Sequence, residues 1–268
     1  MERPPWAPSE VDLERPSAAR MYDYYLGGYH NLRIDREFAE QAMRAMPELP
    51  MIMRTNRAFL RRTVRHLADA GCRQFLDLGS GIPTVGNVHE IAQSVAPDAT
   101  VVYVDKDSVA VAHSEVMLAG NERTGVVEAD MRDPDAVLGS PVTQRLIDLD
   151  QPVAVLMFAV LHFVPDDDEA AATVAGYRDA LVSGSFAVIS HATHEPVGER
   201  GRQVEQVYSR TDNPLVTRYS SDVTRFLTGF DILEPGVVYV PLWRPESDDD
   251  VGDHPERCCT YGAVGRKS

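Results

Sequence analysis

The chain has 268 residues, of which 26 are basic and 41 acidic, giving a formal charge of −15. With 44% apolar and 25% charged residues and no internal period, disordered, collagenous and repeat architectures are excluded, and one large domain or a domain plus a small extension is expected. The longest apolar run, Val153–Phe163, is about half of the ~20 residues a membrane helix needs, and no secretory pattern or paired-cysteine spacing is present, so a cytoplasmic protein without disulfide framework, metal site or membrane contact is expected.

The lead-in carries Pro4, Pro5, Pro8 and Pro16 and reads as extended. Ser17 is placed to cap a helix over Ala18–Leu26 that stops at Gly27-Gly28. Two further helices, Asp35–Met46 and Met51–Ala70, are separated by Pro47 and Pro50, and Gly71 ends the helical stretch. Arginines outnumber acids 11 to 9 over residues 1–66, whereas residues 67–268 hold 15 basic and 32 acidic side chains. Such an acidic body repels a phosphate backbone, so nucleic-acid binding is not expected.

From Arg73 the pattern changes. Apolar runs at Gln74–Leu78, Thr100–Val104, Gly125–Glu128, Val153–Phe158 and Ser185–Ser190 alternate with helix-length segments at Val85–Val95, Val109–Leu118 and Asp168–Leu181. Continuous β-branched and leucine-rich strands between helices predict a doubly wound α/β fold with a parallel sheet covered on both faces. Pro196–Phe230 reads as mostly helical. Two late strands, Ile232–Val240 and Cys259–Gly265, follow with an acidic, Pro-rich loop between them.

The strongest chemical signal is the first strand running into Leu78-Gly79-Ser80-Gly81-Ile82-Pro83-Thr84. Glycines there permit a tight turn and close approach of a ligand to main-chain N–H groups. Asp105 closes the second strand, where a carboxylate can accept both hydroxyls of a ribose. Pro83 removes an N–H that a pyrophosphate needs, and Thr84 stands where a dinucleotide fingerprint has its third glycine. The turn therefore suits an adenosine-type cofactor without phosphate, S-adenosylmethionine, better than a nicotinamide dinucleotide.

These residues resemble the first motif of class I S-adenosylmethionine-dependent methyltransferases. Asp105 matches their acidic residue after strand two, Ala129-Asp130-Met131 their adenine-contacting pair, and Phe158-Ala159-Val160-Leu161-His162 the segment lining the methyl-donor site. Gly229–Gly236 with Tyr261–Arg266 is similar to their terminal antiparallel pair. The segment Arg20–Asn31, together with Asn56-Arg57-x-Phe59-Leu60, is similar to an actinobacterial methyltransferase family long carried as a domain of unknown function. The resemblance implies a Rossmann-like, seven-stranded, mostly parallel sheet with one antiparallel late strand over residues 71–268, and an N-terminal helical cap over residues 1–70.

What it implies for individual residues follows. Gly79, Ser80 and Gly81 form the cofactor turn, with Lys106 beside Asp105. Asp77 bonds either the turn's backbone or the cofactor's amino group, and Asp107 is free to cap the next helix. Asp130 accepts from the adenine amino group and Met131 stacks or packs on the ring, with Phe158 and Ala159 nearby. Tyr22, Tyr25 and Tyr29 fall on one helical face, either as an aromatic lid over a sulfonium or as a docking stripe. Arg20 and Arg57 pair the cofactor carboxylate or make surface ion pairs. His162, His191 and His194 lie beyond strands four and five as candidate bases for an acceptor nucleophile. Asp166–Glu169 reads as a helix start. The expected partner is a small-molecule acceptor; a cofactor-binding sensor or scaffold without transfer is the alternative. Oligomeric state is not legible.

Overall fold

Five of the apolar runs become parallel strands in a computed structural model that describes residues 12–83 and 86–268. Three helices come first: α1 (Ala18–Tyr25), α2 (Arg33–Ala45) and α3 (Leu49–Asp69). The alternating stretch then runs β1 (Gln74–Leu78), α4 (Val88–Val95), β2 (Thr100–Asp105), α5 (Ser108–Leu118) and β3 (Thr124–Glu128). After α6 (Pro134–Leu138) and α7 (Pro141–Leu146) come β4 (Ala154–Phe158), α8 (Asp167–Ala180) and β5 (Phe186–Ala192). The chain finishes with α9 (Glu199–Tyr208), α10 (Ser220–Phe226), β6 (Asp231–Ile232), β7 (Val238–Tyr239) and β8 (Thr260–Arg266). Pro4, Pro5, Pro8, Thr84 and Val85, on which parts of the expected lead-in, turn and fourth helix fall, lie outside the described residues.

The sheet order is β3-β2-β1-β4-β5-β8-β6, with β7 pairing β8 off this path. Strands β1 to β5 are parallel, and β8 runs antiparallel to β5, β6 and β7. The sheet thus has eight strands rather than seven. The expected strand Ile232–Val240 is split in two because Pro235 has no N–H for a ladder and Gly236 turns the chain at positive φ. Two short helices between β3 and β4 were not foreseen. Each starts on Pro after a capping side chain, Asp133 or Ser140, but neither is long enough to show a helical period.

Alternation along the strands sorts side chains to two faces. Leu76, Leu78, Val102, Val104, Val155 and Met157 share one core cluster with α8 and α10. Phe75, Val101, Tyr103, Leu156 and Phe158 join the second with Phe59, Leu60, Val64 and Leu67 of α3. A third cluster binds the N-terminal helices to α9, through Met21, Tyr25, Ala39, Met46, Leu49, Ile52, Val204 and Tyr208. One helix, α3, therefore belongs to both bodies: its first half faces α9 and its second half covers the sheet. Helix starts follow local chemistry. Asp107 accepts from Val109 N to cap α5, and Asp166 accepts from Asp168 N and Glu169 N to cap α8.

Chain order reverses between β1 and β4, so the carboxyl ends of β1, β2 and β4 open onto one crevice. Helices α1, α3 and α9, with Met46 after α2, roof it.

Candidate functional site

The turn after β1 is held by its neighbour strand. Gly79 N and Ser80 N both donate to Val104 O, at 2.8 and 3.1 Å. Gly79 has φ +65°, and a Cβ on it would sit 2.2 Å from Val160 Cγ2. Only glycine satisfies both the left-handed backbone and that contact. Gly81 N donates to Asp105 Oδ2 at 2.7 Å, and Asp107 N donates to Asp105 Oδ1 at 2.8 Å. An ionised carboxylate offers about four lone-pair sites; the backbone N–H groups of Gly81 and Asp107, with that of Lys106 close by, occupy some of them while pinning the turn. Burial pushes Asp105 up to about 6, against the pull of those backbone N–H groups.

Asp77 shares its sheet face with Phe75 and lies beside Tyr103 in the register. No hydrogen-bond donor reaches its carboxylate among the described residues. Burial raises it to about 7; the nearby Arg57 guanidinium lowers it and Asp105 raises it. Two acidic groups that titrate near neutrality thus line one wall of a cavity of about 210 Å³. Lys106 stands exposed on its rim, and Met131 and Phe158 are buried in its wall. Ala159 has φ +52°, unusual for a residue with a Cβ, and its N–H donates to Ser190 Oγ at 2.9 Å.

Asp130 also lines the cavity, but both its oxygens are engaged by Arg132, with Nη2 at 2.6 Å from Oδ2, and that bond holds the carboxyl below its usual range. A one-residue spacer makes this pairing local, and it was not anticipated.

The tyrosine stripe separates. Tyr22 lines the cavity. Tyr25 is buried behind it, within 3.3 Å of the Tyr208 hydroxyl, and Tyr29 is 88% exposed and reaches no part of the cavity. The reason is that α1 ends at Tyr25, so the i+7 spacing no longer runs along a helix. Gly27 leaves the helix at φ +81°, while a Cβ on Gly28 would overlap Asp23 Oδ1 at 1.9 Å. The glycine pair builds a fixed turn in which Asp23 accepts from His30 N and Asn31 Nδ2.

Arg20 is neither cavity ligand nor surface pair. Its Nε lies 2.7 Å from Asp35 Oδ2 and its Nη1 3.4 Å from Asp107 Oδ2, all in a buried network that Ser17 Oγ joins by donating to Asp107 Oδ2 at 2.5 Å. This network ties the start of α1 to the cap of α5, directly beside Asp105. Arg57 lines the cavity and donates to Gly86 O at 2.7 Å.

Of the three histidines, only His162 lines the cavity. Ala192 N donates to its Nδ1 at 3.3 Å, so the neutral ring keeps its proton on Nε2. Burial, with His191 and Arg218 nearby, lowers its pKa well below the ordinary value, which favours the neutral ring. His191 shares strand parity with Ala187 and Ile189 and is buried on the sheet face under Phe226, its Nε2 3.1 Å from Arg218 Nη1. Burial drives it down to about 3. His194 bonds Thr217 Oγ1, which donates to Glu205, and lies outside the cavity wall.

The far end of the cavity was not read from the sequence. Met46, Leu49, Ile52 and Met53 come from the α2–α3 junction, and Val204, Tyr208 and Leu215 from α9 and the loop after it. Burial raises the Tyr208 hydroxyl to about 12, so it stays neutral. A signal existed in the methionines at 43, 46, 51 and 53, since Met adapts to irregular apolar surfaces, but nothing local links them to residues 204–215.

A family model described as S-adenosyl methyltransferase matches residues 4–268. Among solved structures, the chain is similar to a DUF574 family protein of Streptomyces avermitilis, at 41% identity over 96% of this chain and 99% of that one, with a TM-score of 0.92. A "putative methyltransferase" of Thermobifida fusca is 38% identical over 99% and 100% of the two chains, also with a TM-score of 0.92. At the level of fold alone, an O-methyltransferase family protein of Burkholderia thailandensis aligns with 15% identity and a TM-score of 0.50, covering 95% of this chain and 65% of that one. No curated protein matches. Among the described residues no helix is long and apolar enough to cross a membrane, and no group of three or more His, Cys, Asp or Glu is placed to hold a metal ion.

Proposed function

The chain belongs to the S-adenosyl methyltransferase family, and we propose on that premise that it methylates a small, largely apolar acceptor seated between the α2–α3 junction and α9. The supporting observation is continuity: one cavity joins the Gly79–Gly81 turn and Asp105 to an apolar chamber walled by Met46, Leu49, Ile52 and Leu215.

The residues fit the cofactor. Asp105 is an acceptor at the end of β2 with lone-pair capacity beyond its backbone partners, which suits a ribose hydroxyl. Ser80 Oγ is enclosed without a hydrogen-bond partner among the described residues and can serve a polar atom of the same ligand. In this reading Gly79 and Gly81 let it approach the main chain. Met131 and Phe158 flank the base, Asp130 stays committed to Arg132 and reaches the adenine edge only with its spare lone pairs, and Asp77 and Arg57 face the charged amino-acid end. When bound, S-adenosylmethionine supplies an electrophilic methyl group on sulfur.

The chain's own contribution is positioning and exclusion of water. Helix α1, latched by Ser17 and Arg20 to Asp107, closes the crevice over Tyr22. His162 holds its proton on Nε2 and takes none from the acceptor. The apolar chamber admits a neutral molecule whose nucleophilic atom carries an available lone pair of its own. An acidic body disfavours nucleic acid as acceptor, and a chamber set beneath helices disfavours folded protein.

The test is transfer of isotopically labelled methyl from S-adenosylmethionine to a panel of small hydroxy- and amino-substituted ring compounds, read by mass spectrometry. Labelled small products carry the proposal. Label appearing only on protein or nucleic acid, or cofactor bound without any turnover, contradicts it.

A further inference from the structure

Asn56 sits on the cavity side of α3, one turn after Ile52 and Met53 and one turn before Leu60, and is only 3% exposed. Tyr22 decides how its amide points. The phenol has one proton, and its oxygen lies 3.3 Å from Met53 O, to which it donates. With its proton so placed, the phenol oxygen accepts from Asn56 Nδ2 at 3.1 Å. Burial raises the Tyr22 pKa, so that proton stays in place. With Nδ2 committed, Oδ1 is left enclosed and without a donor among the described residues. A buried carbonyl oxygen in that position is costly unless something donates to it, and its neighbours along the helix face are hydrocarbon and thioether.

We propose that Asn56 Oδ1 accepts a hydrogen bond from a bound ligand, and so selects for a polarised N–H or O–H at that point of the cavity. A carbonyl or carboxylate placed there would set lone pair against lone pair. Two sources carry the required chemistry: the amino group of the cofactor and an amine or hydroxyl of the acceptor. The proposal deepens the methyl-transfer reading and rests on it. If the donor is the acceptor's, Asn56 is a specificity determinant for the atom to be methylated.

The experiment is calorimetry on the full chain in two arms. The first compares S-adenosylhomocysteine with 5′-methylthioadenosine, which lacks the amino-acid end. The second compares aniline with toluene, titrated into protein saturated with S-adenosylhomocysteine. In Asn56→Leu the preference for the donor-bearing member is expected to fall by about tenfold in one arm, and the arm that moves identifies the source. Asn56→Asp, which keeps the shape and accepts on both oxygens, is expected to hold or widen the preference, and it reads the proposal even where Asn56→Leu folds poorly. Both preferences unmoved in Asn56→Leu, or abolished in Asn56→Asp, overturn the Asn56 assignment while the cofactor reading stands. A wild-type protein that binds neither nucleoside overturns the cofactor reading, and the assignment with it.

Discussion

At the carboxyl ends of β1 and β2 the cavity wall is backbone and carboxylate; between α2, α3 and α9 it is mostly thioether, aliphatic carbon and phenol, with the Asn56 amide among them. The first end is rigid by construction. Its turn is bonded to Val104 and Asp105, and its glycine is wedged against Val160. The second end is assembled from three helices that meet in their own core cluster, apart from the two clusters on the sheet faces. A fixed, polar end suits a ligand that never changes, and an apolar end built on separate helices can vary without disturbing it.

That contrast predicts where substitutions are felt. The largest effect is expected at Asp77. Its ordinary carboxyl value near 3.8 rises to about 7 on folding, so the folded state binds the proton more tightly and ionisation opposes folding as pH rises from about 4 through 7. Asp77→Asn removes that penalty and should stabilise the unliganded protein by about 2–4 kcal/mol at pH 8, a gain shrinking towards zero near pH 4. Chemical denaturation at the two pH values checks it, and a gain that grows on acidification would break the picture. In the proposed reading, where the cofactor meets Asp77 and Asp105 as ionised carboxylates, its binding is expected to tighten as pH rises from about 5 to 8.

Gly79→Ala comes next, with an expected loss of about 2–3 kcal/mol from overpacking and left-handed backbone. Val160→Ala in the same chain should restore part of it, because the clash is with that side chain. No rescue would mean that the backbone angle alone sets the cost. The smallest effect sharpens the comparison. Leu215→Ala, at the apolar end, should change S-adenosylhomocysteine affinity by less than about twofold while raising the KM of whichever ring compound is methylated. A large loss of cofactor affinity there would show that the two ends are not separable.

How much of this was legible in the sequence follows the same division. Strand β1 and its turn obey a local grammar of a buried apolar run, two glycines and an acid one strand later, so Gly79, Gly81 and Asp105 were readable as a unit. The rhythm of five apolar runs foretold the parallel sheet, while the break at Pro235, the short proline-started helices and the non-helical stretch between α9 and α10 escaped it. The histidines show what local reading lacks. His191 follows Ile189 at the two-residue period of a strand, which places it on a covered face, and its partner Arg218 is 27 residues away. Tyr29 was assigned by helical spacing across a glycine pair that ends the helix. Met46, Tyr208 and Leu215 converge only because α9 packs on the N-terminal helices, a contact that no period announces.

The measurement that bears most directly on the site is calorimetric affinity for S-adenosylhomocysteine in the wild type and in Asp105→Ala. Loss of the charge-assisted hydrogen bonds that a ribose's hydroxyls would donate to Asp105 predicts binding weaker by about 1–3 kcal/mol in the variant, with its melting transition still cooperative. Equal affinity in the two proteins would contradict the assignment of that carboxylate, and with it the placement of the nucleoside in the crevice.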